Sequence, residues 1–163
     1  MKIMKIDHDG LILCDIQAEP FELSIDKTNT SSEIFIRRFM HSEVAKYFDN
    51  KFILDSTLSS INILELLENE YGPSNYGNIK YTKDEIYWIG YIYRYFSYTY
   101  NYSSTQVYKI VKPKELKNIY MPYHSLDPTL AIKRILESKN LFFTEEEQLQ
   151  RQLNILKKLY KKG

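Results

Sequence analysis

Between Tyr81 and Tyr102 the chain reads YTKDEIYWIGYIYRYFSYTYNY, and no other stretch restricts the possible folds as much. Thr82-Lys83-Asp84-Glu85 has the form of a capping box, in which the Thr82 hydroxyl accepts from the Glu85 amide and Glu85 reaches back to the Thr82 amide. A helix is therefore predicted to start there. At about 100° per residue Ile86, Ile89, Ile92, Tyr93, Phe96 and Tyr100 share one broad face, while Tyr87, Tyr91, Arg94, Tyr95 and Tyr98 spread over the other. Both faces are bulky and mostly apolar. Such a helix is either sandwiched inside the fold or offers its second face to a partner.

The flanking sequence supplies further helices. Thr30-Ser31-Ser32-Glu33 offers N-caps to IFIRRFMHSEVAKYF, where Ile36, Phe39, Met40, Val44 and Phe48 recur at helical spacing and predict one helix. Asp55-Ser56-Thr57 is read as the cap of a helix running to about Glu70, with Leu58, Ile61 and Leu64 inward, alongside Leu67 or Ile63. Tyr71 to Asn78, containing Gly72, Pro73 and Gly77, is an ordered loop that delivers the aromatic helix. Ser103-Ser104-Thr105 caps a short helix ending near Pro113, Pro113 opens another bounded by Pro122, and Asp127-Pro128 provides the N-cap and first residue of the next. Thr144-Glu145-Glu146-Glu147 is a second capping box, opening a C-terminal helix over 144–163. Its stripe of Leu149, Leu153, Leu156 and Tyr160 is too short for a coiled-coil claim, so docking on the domain is expected. Residues 1–29 divide into a short extended piece at Leu11-Ile12-Leu13-Cys14, after Asp9-Gly10, and a short helix begun by Pro20.

These elements predict a single, mainly α-helical domain over 1–163, with six or seven helices and room for a short N-terminal strand. A chain of 163 residues can bury a core without disulfide or metal staples. Its one cysteine, Cys14, has no partner for an internal disulfide; the N-terminus lacks a continuous apolar signal region, and no run approaches the ~20 apolar residues needed to span a bilayer. A soluble, cytoplasmic protein is the expectation. The net charge is +1, yet residues 1–80 hold 8 basic and 13 acidic side chains and residues 81–163 hold 14 and 8. That asymmetry either steers an encounter with a charged partner or draws two halves of one fold together.

Catalytic signatures are not found. His8, His41 and His124 are the only histidines, and they belong to no metal, nucleophile or phosphate-loop motif. Asp7-His8-Asp9 reads as a solvated turn, and Tyr123-His124-Ser125 with Asp127 as a loop leading into a helix. Arg37 and Arg38 either grip an anion or lie solvated beside acids. The expectation is a non-enzyme with no cofactor, no metal and no catalytic residue. Lys109, Lys112, Lys114 and Lys117, close to Tyr108 and Tyr120, make 105–117 the basic spot of the chain. That is a pattern used for single-stranded nucleic acid.

SSEIFIRRFMHSEVAKYFD, YGNIKYTKDEIYWIGYIYRYFSYTY, SSTQVYKIVKPKEL and YHSLDPTLAIKRILE, together spanning roughly 31–140, resemble a small bacterial family whose members are commonly labelled antitoxins. The resemblance implies a cytoplasmic protein that neutralises a cognate toxin by direct binding, the toxin being ADP-ribosyltransferase-like. It carries over no binding or catalytic position. A nucleic-acid-binding regulator using 105–117, and an unrecognised enzyme, are the alternatives. From spacing and residue type alone, Tyr91, Arg94 and Tyr98 are the candidate partner-binding residues: they recur three and four apart, opposite Ile86, Ile89 and Phe96, and Tyr and Arg concentrate binding energy.

Overall fold

The computed structural model describes residues 3–142 and 145–162. Among these residues there are nine α-helices and no strand: α1 (His8–Lys27), α2 (Ser32–Met40), α3 (Glu43–Asp49), α4 (Ser60–Tyr71), α5 (Lys83–Tyr100), α6 (Ser104–Ile110), α7 (Pro113–Tyr123), α8 (Pro128–Ser138) and α9 (Glu145–Lys162). The fold is mainly α, as expected, with more helices than the sequence signals suggested. None of the described helices is long and apolar enough to cross a membrane.

The aromatic helix is α5. Thr82 Oγ1 accepts from the Glu85 amide at 3.1 Å and Glu85 Oε1 accepts from the Thr82 amide at 2.9 Å, completing the capping box. Every residue from Ile92 to Tyr100 is buried, so this part of α5 is sandwiched. Helix α1 runs antiparallel along it, fixed at one end by a 2.8 Å Lys83–Asp26 ion pair and at the other by a 2.6 Å hydrogen bond donated by Tyr98 Oη to Asp7. Helices α6, α7 and α8 pack on the remaining sides of α5. The α1–α5 contact is closest at Gly90, where an added Cβ would meet Phe21 Cγ at 2.8 Å and Ala18 Cα at 3.1 Å. Gly90→Ala is thus expected to destabilise the chain by about 1–3 kcal/mol through overpacking. A urea midpoint equal to that of the parent chain would show that α1 can shift freely.

Four boundaries differ from expectation. Residues 1–29 hold one 20-residue helix instead of an extended piece and a short helix. Asp7 caps it, its Oδ1 accepting from the Gly10 amide at 2.8 Å. Gly10 makes no turn; it lets the Tyr98 ring approach to within 2.7 Å of where a Cβ would stand. Leu13, Cys14, Gln17, Ala18, Phe21 and Ser24 are buried at helical spacing, and Pro20 lies inside the helix. The predicted helix after Ser32 breaks at His41, because Ser42 is an N-cap within the apolar pattern, its Oγ accepting from Ala45 N at 3.0 Å. Asp55 ends a short 3₁₀ turn (Phe52–Asp55), and α4 is capped by Ser59, four residues beyond Asp55, with Asn62 reciprocating. As a result Ile63 and Leu67 face the core while Ile61 is exposed. Helix α7 continues through Pro122 to Tyr123.

The loop after α4 clasps the start of α2. Ser31 N and Thr30 Oγ1 both donate to Tyr76 O, and Ser32 N donates to Ile79 O. Gly77, at φ 74°, passes so close to Ser31 that a Cβ would lie 2.8 Å from Ser31 Cβ. Thr144, the proposed cap of the last helix, lies outside the described residues. The apolar stripe of α9 is not buried against the described residues: Leu149, Leu153, Leu156 and Tyr160 are all exposed.

Candidate functional site

Tyr91, Arg94 and Tyr98 do not form one exposed surface, because α1 covers that side of α5. Arg94 is 1% exposed and sits at the centre of a polar knot. Its Nε donates to Gln17 Oε1 at 2.8 Å, Nη1 to Asp49 Oδ1 at 2.8 Å and Ser97 Oγ at 3.0 Å, and Nη2 to Ser104 Oγ at 2.7 Å. Asp49 also accepts from the Ser104 amide and hydroxyl, and Gln17 Nε2 donates to Gly90 O. The guanidinium thereby ties α1, α3, α5 and α6 together. Tyr98 is buried against Gly10, and its hydroxyl pKa is raised by burial first and then by the bond to Asp7. Only half-buried Tyr91 reaches an open surface.

That surface is a groove of about 440 Å³ lined by Tyr87, Trp88 and Tyr91 from α5, Tyr120 and His124 from the end of α7, and Leu126 and Pro128 leading into α8, with Glu22 and Asp84 on its rim. Its walls are preset by ring contacts. Trp88 meets Tyr120 edge-on at 5.8 Å, Tyr120 stacks on His124 at 4.4 Å and 10°, and Tyr91 stacks on Tyr95 at 6.3 Å. His124 Nδ1 lies 2.8 Å from Tyr120 O and 3.0 Å from Met121 O, which holds the ring against the end of α7. Asp127, the remaining acid of that segment, accepts from Thr129 N at 2.9 Å as the cap of α8.

The electrostatics around the groove are acidic. Tyr87 donates to Asp15 at 3.2 Å, and burial, then Asp15, with Glu19 and Glu22, pushes its hydroxyl up to about 12. Tyr91 is pushed up to about 12 by burial, with Asp15 contributing. Tyr120 is raised by burial and by the Asp84 and Glu85 carboxylates. Aromatic faces beside carboxylates favour a cation, which gains from the ring quadrupoles within about 6 Å and from the rim charge.

The paired arginines separate. Arg38 donates to Gly72 O at 2.9 Å and lies 5.3 Å over Tyr71, beside a second cleft of about 310 Å³ between α2 and α4. Arg37 is exposed and lowers the Tyr108 pKa from across the α2–α6 junction, although burial raises it more. His41 packs edge-on to Tyr108 at 4.9 Å, and Lys112 Nζ stands 4.4 Å over the same ring. A basic strip thus joins α2 to the 105–117 segment.

No family model matches this chain. No curated protein and no solved structure matches it significantly either, so the chemistry of the groove is taken from its own residues. Sequence reasoning reached only Tyr91 of these. Trp88, the sole tryptophan, lies three residues before Tyr91 and was the local signal for the α5 wall; Tyr120 and His124, four apart, were the signal for the α7 wall.

Proposed function

We propose that this chain is an antitoxin that neutralises a cognate toxin by direct binding, and that the aromatic groove receives an arginine or lysine side chain of that toxin. The observation that carries this reading is the groove itself: Tyr87, Trp88, Tyr91 and Tyr120 converge under the acids Glu22 and Asp84, combining the residue types that dominate protein hot spots with a charge that selects a basic partner. The antitoxin role rests on the resemblance of the sequence blocks, and an ADP-ribosyltransferase-like toxin is the partner that resemblance implies. Coexpression with the product of a neighbouring gene is expected to restore growth and to yield a copurifying pair. In that pair Trp88→Ala and Tyr120→Ala are each expected to weaken binding by more than about 1 kcal/mol, roughly fivefold, with far-UV circular dichroism unchanged. Unaltered affinity in both variants would remove the groove from the interface.

The basic strip favours a second reading, a nucleic-acid-binding regulator. Arg37, His41 and Lys112 gather around Tyr108, supplying phosphate contacts beside a ring on which a base can stack. Binding of single-stranded nucleic acid that falls steeply with salt and is lost in Lys112→Glu would support it over the toxin-binding reading.

A further inference from the structure

We infer that α9 is a self-association element that pairs antiparallel with α9 of a second copy of this chain. Leu149, Leu153, Leu156 and Tyr160 follow one another at four-, three- and four-residue steps, the spacing of alternating core positions in a helix pair. Ile155 and Leu159 widen the stripe on one flank, and all six side chains are exposed. Among the described residues none buries these six side chains. An amphipathic helix with an open apolar stripe of this width gains by meeting another apolar surface.

The charge pattern selects the occupant and its direction. Glu145, Glu146 and Glu147 open α9, whereas Lys157, Lys158, Lys161 and Lys162 close it. Parallel pairing would set acids against acids, lysines against lysines, and align the two helix dipoles. Antiparallel pairing sets the acidic end of each copy against the basic end of the other and opposes the dipoles. In that register Leu149 lies across from Tyr160 of the second copy, and Leu153 across from Leu156. An 18-residue helix is about 27 Å long, so one such pair falls in the small interface class, below about 1,200 Å². The dimer is therefore concentration-dependent.

The full chain tests this in three measurements. Sedimentation equilibrium across a wide concentration range is expected to show the mass rising from that of one chain to that of two. Leu153→Lys combined with Leu156→Lys is expected to abolish the rise while leaving the thermal unfolding of the body unchanged, since neither side chain is buried. Single-cysteine introductions give the direction: Leu149→Cys mixed with Tyr160→Cys should cross-link on oxidation, and each alone should not, with native Cys14 fully buried and out of reach. A chain that stays monomeric at all concentrations overturns the inference, as does a dimer that survives the double lysine change. Cross-linking of Leu149→Cys with itself overturns the antiparallel arrangement. Monomers whose α9 instead binds vesicles containing anionic lipid would assign the stripe to a membrane surface and likewise overturn it.

Discussion

Asp49→Ala is expected to lower folding stability by about 3–5 kcal/mol, the range seen when one member of a buried ion pair is removed. The pair is asymmetric: Arg94 is 1% exposed, while the Asp49 side chain is 22% exposed. Losing the carboxylate therefore leaves the guanidinium in the core with only the neutral acceptors Gln17, Ser97 and Ser104. It also takes the acceptor from the Ser104 amide at the start of α6, a donor that no turn of its own helix can satisfy. Placing Arg94→Met in the Asp49→Ala background removes the stranded charge at similar length, so part of the stability should return. Urea unfolding of the single and double variants reads both effects. A loss below about 1 kcal/mol for Asp49→Ala would put the pair in the class of solvent-screened surface bridges.

What the sequence made legible was local chemistry. The capping box at Thr82, the Ser103 cap and the Asp127-Pro128 pair each place donor, acceptor and helix start within four residues, and α5, α6 and α8 begin where those signals put them. The N-terminal helix was missed for the converse reason. Leu11 to Cys14 reads as a short strand and Asp9-Gly10 as a turn, whereas the helical period emerges only when Gln17 and Ser24 are counted as inward-facing. Nothing in the sequence marks Gln17 as buried until Arg94 is seen to require its carbonyl. The same error decided the site: the division of α5 into two faces was sound, but the helix that covers Arg94 and Tyr98 came from the misread segment. Glu22, Tyr87 and Tyr120 belong to three helices, and their convergence depends on packing angles that spacing along one helix does not contain.

Phe21→Ala is expected to cost about 3–5 kcal/mol, as large-to-small changes of buried phenylalanine do. The ring is fully buried and meets Phe35 edge-on at 5.4 Å and Phe39 at 4.9 Å, with Phe39 in turn against Phe48 at 5.7 Å, so its loss opens a cavity where α1, α2 and α5 meet. The same ring is what a Cβ at position 90 would strike. Gly90→Ala introduced into Phe21→Ala should consequently cost less than it does alone, because Phe21 Cγ and Cδ2 are gone and the new methyl enters space the ring has vacated. Ala18 Cα, at 3.1 Å, retains a residual clash. Contacting positions of this kind couple by about 0.5–3 kcal/mol, and the sign here is favourable to the double variant. A double-mutant cycle on urea unfolding free energies measures the coupling directly. Strict additivity would mean that the glycine accommodates the α1 backbone at Ala18 and not the aromatic cluster.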